Sequence, residues 1–133
     1  MHAILLLASL AATATGTWDL KSDEMKSEKW TLSPIAGTLV LEERGTELKG
    51  TWTGPMKEEP WILTGQIKDG TFDLRSEPRE IDVTRDGAKS KVKARWVFRG
   101  TVTDDTMTGT MMLDRDSDTG VLPRRPFKAT RRR

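Results

Sequence analysis

The sequence predicts an all-β protein, a single antiparallel up-and-down β-barrel of about eight strands, and three observations carry that prediction. Apolar residues recur at every second position, short glycine turns separate the alternating runs, and glycines sit in the middle of the apolar stripes. The run from Lys91 to Val102 shows the alternation most plainly. One parity reads Val92, Ala94, Trp96, Phe98, Gly100 and Val102; the other reads Lys91, Lys93, Arg95, Val97, Arg99 and Thr101. That is a long strand with one dry face and one wet, basic face.

The other strands follow by the same test. Trp18 and Leu20 mark a strand over 16–22, and Leu39 and Leu41 one over 35–43. Glu43-Arg44-Gly45 turns the chain into a strand over 46–53. Trp61, Leu63, Gly65 and Ile67 define 61–68, and Asp69-Gly70 is a strong hairpin signal leading into 71–77, where Phe72 and Leu74 alternate. An extension or bulge carries that strand through 81–85. Asp86-Gly87 then turns into 90–103, followed by 106–113 and a closing strand over 126–131. Most links are short, so neighbours in sequence are neighbours in the sheet. The longer links are 23–34 and 114–125, and only Asp23 to Trp30 has room for a helical turn.

Four segments echo one another: Leu48-Lys49-Gly50-Thr51-Trp52, Leu63-Thr64-Gly65-Gln66-Ile67, Phe98-Arg99-Gly100-Thr101-Val102 and Met107-Thr108-Gly109-Thr110-Met111. Glycine weakens a strand, so Gly50, Gly65, Gly100 and Gly109 at the same phase require a geometric reason. Barrel walls supply one, because inward glycines let a sheet coil sharply. Closure also removes the edge strands of an open sheet.

Composition narrows the chemistry. The 133 residues contain no Cys, Tyr or Asn, and the one His is His2. Disulfides and thiol chemistry are excluded. Ala3 to Ala12 reads AILLLASLAA, an apolar run of signal-peptide length, and Ala12-Thr13-Ala14 supplies a small-x-small cleavage pattern. We therefore expect residues 1–14 to direct export to the periplasm or the exterior, and residues 15–133 to form the barrel with a basic C-terminal tail. The mature chain would then have no imidazole. No other segment is long and apolar enough for a transmembrane helix. With 22 Lys+Arg against 20 Asp+Glu the formal charge is +2, far from a nucleic-acid-binding surface.

The motifs resemble known families. Gly16-Thr17-Trp18 is similar to the Gly-x-Trp opening of lipocalins and to the Gly-Thr-Trp opening of avidin-like barrels. The run from Gly16 to Arg131 resembles a small lipocalin-like, calycin-type barrel domain of exported bacterial proteins with no assigned activity, through Leu48-Lys49-Gly50-Thr51, Phe98-Arg99-Gly100-Thr101-Val102, Met107-Thr108-Gly109-Thr110 and Ala129-Thr130-Arg131. The lipocalin resemblance implies that Trp18 and Arg131 pair to close the barrel base. The avidin ligand set does not carry over, since Leu20 stands where that family has a polar contact.

Candidate chemistry is sparse. Asp114, Asp116 and Asp118 alternate as in calcium loops, but glycine falls one place late and Arg125 stands where a bidentate Glu belongs, so no metal is assigned. Asp104-Asp105 and Glu58-Glu59 read as turn residues. Paired carboxylates act together only when both face one cleft. No cofactor is implied and no enzyme activity is expected. The aromatic set offers more: Trp52, Trp61 and Trp96 face inward, Trp30 lies in a link near the barrel mouth, and Met56 could add an adaptable lining. These five are the candidate ligand contacts for a small apolar or amphipathic molecule at the open end. That reading expects a cavity opening near Trp30 and Met56. A solid interior filled by Trp and Met side chains would sink the reading of a ligand cavity and leave the alternative, a structural or interaction module of the cell envelope with no ligand site.

Overall fold

The structure is a computed structural model that describes residues 13–28, 30–54, 59–115 and 123–132. Eleven strands are present among them: β1 Gly16–Ser22, β2 Met25–Lys26, β3 Thr31–Leu32, β4 Ile35–Arg44, β5 Glu47–Thr53, β6 Trp61–Lys68, β7 Thr71–Ser76, β8 Arg79–Arg85, β9 Ala88–Thr103, β10 Thr106–Arg115 and β11 Arg125–Arg131. Eight of these close into an antiparallel ring, β1-β4-β5-β6-β7-β9-β10-β11, with β11 pairing back onto β1. The predicted barrel is the fold.

Three hairpins gather at one end, which we call the base. Asp69-Gly70 and Asp86-Gly87 take left-handed conformations at both turn residues, as two-residue hairpin loops require. Asp86-Gly87 serves the β8–β9 hairpin, which projects from the opposite, open end. At the base, Gly45 and Asp104 are left-handed too, Asp being one of the few side chains that tolerate that region.

Register sets the width. Along the hydrogen-bonding direction Glu43 pairs with Leu48, Leu48 with Gly65, Gly65 with Leu74, Leu74 with Phe98, Phe98 with Met111 and Met111 with Arg125. Carrying the path onto β1 at both ends gives a stagger of about ten residues, a strongly tilted barrel whose bore fits side chains or one small ligand.

Side chains occupy that bore. A side chain facing a void large enough for a water molecule would keep some accessible surface. Leu39, Leu48, Leu63, Leu74, Met107 and Met111, drawn from five strands, keep none, so the lower and middle lumen is packed solid. Burying each such side chain contributes roughly 1.5–3 kcal/mol. The cavity expected from the sequence is therefore replaced by a core, because the inward large residues are enough to fill a bore this narrow.

One segment differs from the sequence reading, and at a second the structure decides between the extension and the bulge. Among its described residues the link at 23–34 holds no helical turn; Met25 pairs with Leu32 and Lys26 with Thr31 in a small ribbon. Its turn is held by Ser27 N–H to Trp30 O at 2.8 Å and by Trp30 N–H to Ser27 Oγ at 3.3 Å. The extension after β7 is a separate strand across a bulge. Arg75 faces Val97 and Arg79 faces Ala94, so three residues on one strand oppose two on β9. Trp96 N–H donates to Ser76 Oγ at 2.7 Å, the hydroxyl replacing a ladder carbonyl. The bulge shifts the inward parity, from Phe72, Leu74 and Ser76 to Arg79 and Ile81.

Candidate functional site at the open end of the barrel

The two ends are built differently, and the base is closed by one arginine. Arg131 continues the inward parity of Phe127 and Ala129, which carries its guanidinium over the Trp18 ring, 4.3 Å from the centroid. It donates to the Thr15 and Asp104 carbonyls, to Thr13 O at 2.6 Å and to Asp105 Oδ1 at 3.1 Å. Trp18 Nε1 donates to Ala14 O at 2.9 Å, and Ala14 N–H to Glu43 Oε1 at 2.9 Å. Ala14 is fully buried. The folded unit therefore includes Thr13 and Ala14, which precede the expected mature start at Thr15.

Beside the base, Arg132 hydrogen-bonds Asp19 and holds its carboxyl below the usual carboxylate range. A carboxyl depressed in the folded state contributes stability that is complete above its unfolded pKa of about 4 and is lost as pH falls through the lower folded value. Asp19→Asn is therefore expected to flatten that part of the acid limb. Thermal midpoints of both proteins between pH 2.5 and 7 at low salt test this. A parallel acid limb in the variant would contradict it.

The open end gathers aromatics. Trp52 sits opposite Trp61 across β5 and β6, and its indole crosses the lumen to meet Trp96 at 6.1 Å and Phe98 at 5.5 Å between ring centroids. Phe98 meets Phe127 edge-on at 6.0 Å. These rings form a floor over the packed core. Above it Trp96, Ile35 and Ile81 are only partly buried against the core, and Leu113, opposite Trp96 in the ladder, is half-buried. Three of the five candidate contacts, Trp52, Trp61 and Trp96, thus converge. Trp30 stands in the turn of the β2–β3 ribbon, 37% exposed, and Met56 lies outside the described residues.

Three arginines at this end carry chemistry that the sequence reading did not single out. Arg79 lies 4.2 Å over the Trp61 ring and donates to Glu59 O and Pro60 O, both at 2.8 Å, pinning the approach to β6. Arg125 is 5% exposed and donates to Ser22 Oγ, Asp23 O and Ser33 O at 2.7–2.8 Å. None of these acceptors is a carboxylate, and burial pulls the guanidinium below the usual arginine pKa. Among the described residues Arg115 Nε and Trp52 Nε1 are buried with no acceptor. The signal was parity: Arg125 continues Phe127 and Ala129, and Arg115 continues Met111 and Leu113.

Arg125 ties both ends of the 23–34 link to the barrel. Arg125→Met is expected to cost about 2–3 kcal/mol, because three acceptors lose their donor, and to free the ribbon. Urea unfolding with amide exchange across 23–34 reads both effects; a midpoint unchanged from the parent would refute the role.

Compared with known proteins, the sequence matches no protein-family model and no curated protein. The site therefore stands on its geometry. Among the described residues no cluster of three or more His, Cys, Asp or Glu side chains is placed to hold a metal. Asp114 is exposed, while Asp116 and Asp118 lie outside the described residues, as does Glu58. Asp105 is turned to Arg131 and its neighbour Asp104 occupies the hairpin turn. No helix among the described residues is long and apolar enough to cross a membrane. Depressions on the outer wall, such as that between Gln66, Lys68, Asp73 and Arg99, are open troughs; there Asp73 is paired to Arg99 at 3.0 Å.

Proposed function

We propose that this protein is an exported, non-enzymatic barrel, lipocalin-like in architecture, that holds a small apolar or amphipathic molecule against the rim of its open end. The observation that carries the reading is that the inward apolar stripe outlasts the packing: Trp96, Leu113, Ile35 and Ile81 continue above the aromatic floor with surface left uncovered. A ligand seated there covers apolar area on a ready-made floor, whereas entry into the lumen would require repacking the core. Binding is thus shallow, and affinity rests on a few side chains.

Titration with dodecanol, followed by intrinsic Trp fluorescence, tests the site. A saturable blue shift is expected, together with a loss of at least tenfold in affinity for Trp96→Ser, since Trp96 is the large aromatic of the rim. Absence of saturable binding would leave the interaction module as the better reading. That second reading is favoured by the filled lumen, but the outer wall offers it little: among the described residues Val40 and Ile62 are its exposed large apolar side chains, joined through Thr51 in the ladder.

A further inference from the structure

We propose that the open-end site takes single-chain amphiphiles bearing a carboxylate head, and that Arg115 is the residue that meets it. The inference rests on the open-end binding reading and names its ligand class. Inward strand positions at this end hold Arg79, Arg115 and Arg125, and among the described residues none of them is in a salt bridge with an Asp or Glu. The acceptors of Arg79 and Arg125 are carbonyl and hydroxyl oxygens, so among the described residues neither guanidinium hydrogen-bonds a carboxylate. An apolar rim flanked by guanidinium groups is complementary to an anionic amphiphile.

Placement singles out Arg115. Leu113 faces Trp96 across the β9–β10 ladder, and Arg115 is the next inward position along β10, about 7 Å further toward the mouth. A hydrocarbon chain lying over Trp96 and Leu113 therefore brings its head to Arg115. Among the described residues the Arg115 Nε–H has no acceptor and is shut off from water, an arrangement that costs free energy until an acceptor arrives. A carboxylate can accept two parallel N–H bonds from a guanidinium, which a neutral hydroxyl head cannot.

The test compares dodecanoate, dodecanol and dodecyltrimethylammonium at pH 8, each below its micellar concentration, on the full chain and on Arg115→Gln. We expect dodecanoate to bind at least tenfold more tightly than dodecanol, the cation to bind most weakly, and Arg115→Gln to lower dodecanoate affinity far more than dodecanol affinity, so that the preference is abolished. Equal affinity for dodecanoate and dodecanol, or a preference that survives Arg115→Gln, overturns the headgroup assignment and leaves the open-end site standing. If none of the three binds, the open-end site itself falls.

An independent observation concerns processing. Given export, we infer that the mature chain keeps Thr13 and Ala14, because Arg131, Trp18 and Glu43 all hydrogen-bond that segment. Hydrolysis after Ala14 would remove those partners. Intact-mass analysis of the protein recovered from an exporting host is expected to give a first residue at or before Thr13. A start at Thr15 would overturn the cut site with export intact, and a retained Met1 would overturn export and the cut together.

Discussion

Replacing Gly65 with alanine is expected to lower the thermal midpoint by about 10–20 °C, the equivalent of roughly 3–5 kcal/mol. Gly65 lies on the inner face of β6, paired with Leu48 on one side and Leu74 on the other. A methyl group there would be driven into the Asp73 carbonyl and to 2.9 Å from Leu74 Cα. These are backbone atoms of the adjoining strand, which cannot yield without parting the ladder. Gly45→Ala provides the contrast. At φ +61 with nothing within 4 Å of the added group, it carries only the conformational penalty of about 1 kcal/mol. Calorimetry on both variants separates close approach from backbone strain, and a Gly65→Ala midpoint within 3 °C of the parent would refute the close approach.

Arg131→Met ranks second, with an expected loss of about 2–4 kcal/mol. The methionine keeps most of the apolar stem but removes the cation from the Trp18 ring and the donors from Thr13, Thr15, Asp104 and Asp105. One side chain links the start of the chain, the β9–β10 hairpin and the closing strand, so its loss should expose Trp18. Urea unfolding gives the energy and the Trp emission maximum reports the exposure. Arg131→Lys should recover only part of the loss, since an ammonium cannot span the same set of acceptors. Full recovery by lysine would reduce the role of Arg131 to that of a point charge.

The wall of the barrel was legible because strand parity is local. Trp18, Leu39, Leu63 and Phe98 each declare an inner face within a few residues, and Asp69-Gly70 and Asp86-Gly87 declare their turns by the left-handed conformations they admit. The bulge after β7 was visible only as an ambiguity over 77–85. Which residue becomes extra depends on the register of β9, and hence on a strand that lies later in the chain. The ribbon at 23–34 was missed for a similar reason: two-residue strands have no period to read, and their place is set by Arg125 about a hundred residues away.

By itself the sequence determined the all-β class, the inward and outward faces and the absence of thiol chemistry, all properties of neighbouring residues or of composition. Only the tertiary structure decided that the lumen is full, that Thr13 and Ala14 belong to the folded base, and that Arg79, Arg115 and Arg125 share one end. The stagger of the strands sets both the bore and which distant side chains meet across it. That stagger is a sum over every pairing in the ring, and no single stretch of sequence contains it.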